Sequence, residues 1–102
     1  MSYYDLSKVE RTNVVAEMSA LIHSEILSNK HRNIYNYFDD PDTYIRRNAY
    51  LIIGKIFYEK THLQYYIIHL LEVLLKEESH YIRQTVLNTA GENEARNVGF
   101  MT

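Results

Sequence analysis

The run Asp42-Thr43-Tyr44-Ile45-Arg46-Arg47-Asn48-Ala49-Tyr50-Leu51-Ile52-Ile53-Gly54 returns 37 residues later as Ser79-His80-Tyr81-Ile82-Arg83-Gln84-Thr85-Val86-Leu87-Asn88-Thr89-Ala90-Gly91. Tyr-Ile-Arg and the closing glycine are identical in the two copies, and each copy opens on a residue suited to capping a helix. A period of this size belongs to arrays of helix pairs, in which no unit buries its apolar face alone and neighbours must stack. One Pro and three Gly among 102 residues leave little to interrupt helix, and the long segments read at the helical period. The expectation is an all-α protein: a short right-handed α-α superhelix of about five helices, built from an N-terminal capping helix and two helix pairs.

Taken in order, Asp5 is expected to cap a helix reaching about Leu27, with Leu6, Val9, Val14, Met18, Leu21, Ile22 and Ile26 as its apolar stripe. A shorter helix, at about residues 31–38, turns Ile34, Tyr37 and Phe38 inward. It stops at Asp39-Asp40-Pro41, because proline holds the preceding residue in extended geometry. Asp42 then caps a long helix to about Glu59, with core positions Ile45, Ala49, Ile52, Ile53 and Ile56 on one face. Thr61-His62-Leu63-Gln64 has the form of a capping box and opens the most apolar helix, to about Glu77, burying Leu63, Tyr66, Ile67, Leu70, Leu71, Leu74 and Leu75. Leu71, Leu74 and Leu75 echo Ile34, Tyr37 and Phe38, so the period spans both helices of a pair. Ser79 caps the last helix, which ends near Ala90 or Glu92, with Gly54 and Gly91 permitting close helix approach. The expected units are a capping helix at 1–29, helix pairs at 30–60 and 61–92, and a flexible tail at 93–102, all within one domain.

Asp39 through Lys55 resembles the HEAT-repeat consensus, in which an Asp-Pro turn leads into an apolar-Arg pair, then a small residue, then Leu-Gly. Glu77 through Gly91 resembles a second copy without the Asp-Pro turn and with Val86 in the place of the small residue. The resemblance covers roughly Ile34 to Gly91. It implies a stacked architecture serving as scaffold and binding surface, and it implies that Asp40 or Asp42 pairs with Arg46 and Arg83 along the stack. Such arrays need about three repeats, and two are visible. Either the first helix substitutes for a repeat, or another chain covers the open C-terminal face. Leu74, Val86 and Leu87 at that edge make a homodimer an expectation, with Phe100 and Met101 folding back over it as the alternative.

With 11 Lys and Arg against 13 Asp and Glu, the net charge is −2. That lacks the basic footprint of a nucleic-acid binder. A nucleic-acid-associated protein like the HEAT-like DNA repair glycosylases is therefore ranked below a non-catalytic scaffold that binds protein, as is a lyase-associated accessory factor, a type that advertises little chemistry in sequence. The absence of cysteine fits a reducing compartment, and the cytoplasm is expected. Neither a secretion signal nor a membrane span is expected. His62 and His69 lie seven apart with no further ligand in a recognised pattern, so no metal, cofactor or catalytic residue is expected. Ten tyrosines carry the stronger signal, since Tyr joins apolar area to a hydrogen-bonding tip. Opposite the core positions, Tyr44, Arg47, Leu51 and Tyr58 form one strip, continued in the second copy by Tyr81, Gln84 and Asn88. This strip is the expected partner-binding surface, and the competing expectation is that its tyrosines cover seams between helices.

Overall fold

The computed structural model describes the backbone of residues 3–101 and the side chains of residue 3 and residues 5–91. A 3-10 turn at Tyr3–Asp5 leads to α1 (Lys8–Leu27), α2 (Arg32–Phe38) and α3 (Thr43–Glu59). A second 3-10 turn, Thr61–Leu63, enters α4 (Gln64–Leu75), and α5 follows at His80–Met101. The long helices α1, α3 and α5 pack side by side as one layer. Helices α2 and α4 form the second layer: α2 rests on α1, α3 and α5, and α4 on α3 and α5. This is a short all-α superhelix. Helix α5 runs on to Met101, past the expected end near Ala90 or Glu92, and the side chains of the expected flexible tail at 93–102, with Phe100 and Met101, lie outside the described residues.

Each helix places one apolar stripe between the layers. Met18, Ile22 and Ile26 of α1, Ile34 and Phe38 of α2, Ala49, Ile53 and Ile56 of α3, Leu63, Ile67, Leu71 and Leu74 around α4, and Ile82 and Val86 of α5 make one contiguous core. Burying a large aliphatic or aromatic side chain contributes about 1.5–3 kcal/mol, so this core is the main stabilising term. Gly54 is buried in α3. Gly91 is exposed, and a Cβ there would meet nothing, so it permits no close approach.

Several helix starts differ from the sequence expectation. Ser7, not Asp5, caps α1: its Oγ accepts from Glu10 N–H at 3.1 Å while Glu10 Oε1 accepts from Ser7 N–H at 2.9 Å, a reciprocal capping box. Asp5 is used up in the preceding 3-10 turn. The Thr61–Gln64 box does not form. Instead the Gln64 amide reaches back 2.9 Å to the Phe57 carbonyl, satisfying an acceptor at the end of α3 rather than a donor at the start of α4. Helix α4 is also rotated relative to α2: Ile34 and Leu71 are both buried, but Phe38 is fully buried while its counterpart Leu75 is 44% exposed. Tyr66, also expected inside, is exposed.

Two caps tie the chain together. Glu25 of α1 is buried, and its carboxylate accepts from the main-chain N–H groups of Asn33 and Ile34, both at 2.8 Å, and from Asn33 Nδ2 at 3.2 Å. It thereby does for α2 what the N-cap residue His31 does not. Asp42 caps α3 through Tyr44 N–H at 2.9 Å, as expected, and its other oxygen accepts from Tyr3 N–H at 2.7 Å.

Candidate functional site

The repeated arginine does the same work in both copies. Arg46 donates to the Asp40 main-chain carbonyl at 2.6 Å, and Arg83 lies 3.4 Å from the Glu78 carbonyl. Each reaches back over the turn before its helix, and the partner is backbone oxygen rather than the Asp40 or Asp42 carboxylate that the resemblance implied. Those carboxylates serve N–H groups instead: Asp40 accepts from Asp42 N–H, and Asp42 from Tyr44 and Tyr3. The Arg46 guanidinium also lies over the Tyr81 ring, 4.5 Å from its centroid, locking the start of α3 to the start of α5.

The seven strip residues therefore do not form one open surface. Tyr81 is exposed on one side and on the other engaged in the α3–α5 seam, between Arg46 and an edge-on His80. Tyr44 is half-buried and stacks on Tyr3 with ring centroids 5.9 Å apart. Arg47, Gln84, Asn88 and Tyr58 are exposed. Leu51 is half-buried and points into a groove. At the supposed open edge, Leu74 and Val86 are covered within the chain, and Leu87 is the exposed member.

That groove is what the sequence did not disclose. It runs between α1 and α3 with a volume of about 470 Å³. Val15, Ser19 and His23 form its α1 wall at four-residue intervals. Asn48, Leu51, Ile52, Lys55, Ile56 and Glu59 form its α3 wall. Ile56 is sealed in the core as expected, but Ile52 is only half-buried, because periodicity shows which face of α3 is apolar but not which neighbour stands against each part of it. Asn48 is the informative member: its Nδ2 is buried without a hydrogen-bond partner. Beyond the shared Val15 the groove opens into a recess lined by Tyr3, Lys8, Arg11 and Thr12.

Two ionisable groups elsewhere are shifted by their structural surroundings. Hydrogen bonds from the Ser7 main chain and hydroxyl hold the Glu10 carboxyl below its ordinary value. Burial, and then the charges of Glu17 and Glu25, push the Tyr37 phenol up. His31 and His69 line a smaller cleft of about 160 Å³ beside Glu25, whose oxygens are already bound by α2. Among the described residues no three His, Asp or Glu groups are placed to hold a metal ion, and no helix is long and apolar enough to cross a membrane.

A family model described as non-SMC mitotic condensation complex subunit 1 matches residues 9–97, which takes in α1 to α4 and most of α5. The chain belongs to this family. The condensation-complex family supports a HEAT-like helical repeat, in keeping with the two copies of Tyr-Ile-Arg. Comparisons with curated proteins and with solved structures gave no match.

Proposed function

We propose that the chain is a non-catalytic helical scaffold that binds another protein, within a multi-subunit assembly of the kind the family description names. The family match across all five helices carries this reading. The use of Glu25, Asp39, Asp40 and Asp42 as caps and clasps supports it, since these carboxylates hold helix ends rather than converge on a cleft. The binding surface is the α1–α3–α5 layer, with Arg47, Leu51, Gln84 and Asn88 as contacts and Tyr44 and Tyr81 supporting them from the seams. Tyr58 lies at its far end. The division into a capping helix, two pairs and a tail, and the cytoplasmic compartment, belong to the same proposal, which takes no nucleic acid and no cofactor as partner. A photo-crosslinking amino acid at Arg47, Gln84 or Asn88, in cells of the source organism, tests it. Protein adducts are expected there and not from exposed Val9, which lies outside the strip. Silence at all three positions overturns the reading.

A further inference from the structure

The stripe of α3 that seats α5 has a copy on α5 itself, and that copy lies open. Arg46, Tyr50, Ile53 and Gly54 fall at i, i+4, i+7 and i+8, one face of α3. Arg46 marks it as the face toward α5, because its guanidinium covers the Tyr81 ring. On this face Ile53 and Gly54 are buried and Tyr50 is half-buried. The counterparts 37 residues on are Arg83, Leu87, Ala90 and Gly91, all exposed, with Leu87 at 64% and open space where a Gly91 Cβ would stand. The helix ends repeat the comparison. At the end of α2 the Asp39 carboxylate accepts from the Ser79 hydroxyl, and the Phe38 carbonyl lies 3.3 Å from Thr85 Oγ1, so α5 also covers the end of α2. The matching positions at the end of α4 are Leu75 and Lys76, both exposed. Helix α5 continues as one helix to Met101, so its end lies about 20 Å along the axis from Leu87 and does not double back over the stripe.

We infer that this edge, made by α5 and the end of α4, seats a helix of a partner protein that runs parallel to α5, with an acidic N-cap residue beside Lys76 and an aromatic ring two positions later over Arg83; this rests on the protein-binding reading above and adds the end of the helix layer to it. The contact within the chain is the template. Helix α5 opens on Ser79, clasped by Asp39, and two residues later Tyr81 lies under Arg46. Arg83 reaches back over the turn before its helix as Arg46 does, 3.4 Å from the Glu78 carbonyl, which leaves its guanidinium set to cover a ring placed like that of Tyr81. At the clasp the charge is reversed. Lys76 stands where Asp39 stands one repeat earlier, so the cap it selects is a carboxylate, which the positive end of the incoming helix also favours. Leu75, Leu87 and Ala90 supply the apolar area. A second copy of this chain carries such an opening in Asp42-Thr43-Tyr44, but there it is engaged: Asp42 accepts from Tyr3 N–H, and the Tyr44 ring stacks on Tyr3. The occupant is therefore a different chain.

The test uses the full chain and a synthetic 16-residue helical peptide that opens Asp-Glu-Tyr-Ile and carries leucines at its seventh, eighth and eleventh positions, the spacing of the inward face of α5. A control peptide has Lys at the first position and Ala at the third. In ¹H–¹⁵N spectra the first peptide is expected to shift the main-chain amides of Arg83, Leu87 and Gly91, and the control to bind more weakly. Arg83→Ala should lower affinity for the first peptide about twofold to fivefold. Lys76→Glu should narrow or reverse the preference between the two, and Leu87→Glu should abolish binding. All three side chains are exposed, so the urea midpoints of these variants should stay close to that of the parent. Equal affinity of the two peptides, unchanged affinity in Arg83→Ala, shifts confined to other surfaces, or no shift at millimolar peptide overturns the inference. The same shifts on concentrating the protein alone also overturn it, since the occupant is then a second copy. Photo-crosslinks that persist from Arg47, Gln84 or Asn88 alongside any of these failures leave the scaffold reading standing, and their loss removes both.

Discussion

Truncating the buried Glu25 should destabilise this protein more than removing any of its exposed carboxylates. The Glu25 oxygens hold the N–H groups of Asn33 and Ile34, two of the donors that the first turn of α2 leaves without intrahelical partners. Hydrogen bonds to a charged group are worth about 1.5–3 kcal/mol each. Water reaches part of the site once the side chain is cut back, so the lower figure applies, and Glu25→Ala is expected to cost about 3 kcal/mol. Glu25→Gln keeps one oxygen for Ile34 but turns an amide nitrogen toward the Asn33 donors, and should cost about half as much. With a denaturant slope near 1.5 kcal/mol per molar urea, Glu25→Ala moves the urea midpoint down by about 2 M and Glu25→Gln by about 1 M, at unchanged slope. Helical circular dichroism across a urea series measures both. A loss under about 1 kcal/mol for Glu25→Ala, or a Gln variant as stable as the parent, would refute the claim that this carboxylate caps α2 from a distance.

Other consequences follow from the same geometry. Asp42→Ala should cost about 1 kcal/mol as a lost cap, and should also speed amide exchange at Tyr3, which a cap serving α3 alone would not do. Arg46→Ala, which loses both the Asp40 carbonyl and the Tyr81 ring, should cost about 1 kcal/mol, against less than about 0.5 kcal/mol for exposed Arg83→Ala. Ile53→Ala in the sealed core should cost about 2–5 kcal/mol, whereas Leu75→Ala, on the outer face of α4, should cost well under that by the same urea assay. Glu10 has a lowered folded pKa, so its stabilising contribution is present above the ordinary carboxylate value and fades as pH falls through the folded one. Carboxyl NMR should show the low titration, and Ser7→Ala, which removes the hydroxyl but keeps the main-chain N–H, should raise it only part of the way. Tyr37 has a raised folded pKa, so its contribution is complete below the ordinary phenol value and is lost as pH rises through the folded one. Ultraviolet difference spectra should show Tyr37 ionising late, and earlier in Glu25→Gln.

Much of the fold was determined locally. The 37-residue echo, the scarcity of Gly and Pro, the Asp42 and Ser79 caps and the 3.6-residue spacing of Ala49, Ile53 and Ile56 each depend on residues a few positions apart, and they specify helices, their order and their inward faces. What tertiary structure decided is how those faces meet. Ile52 and Leu75 look like core in sequence because periodicity marks an apolar face without saying whether a neighbour covers all of it. Here α1 leaves a groove over Ile52, and the rotation of α4 leaves Leu75 in water. The jobs of Glu25 and Tyr3 depend on contacts 8 and 39 residues away in sequence, so no local pattern announces them. Asn48 was in plain view, seven residues into a repeat whose second copy has Thr85. Only the packing of α2 over Thr85, with nothing comparable over Asn48 among the described residues, gives that difference a meaning.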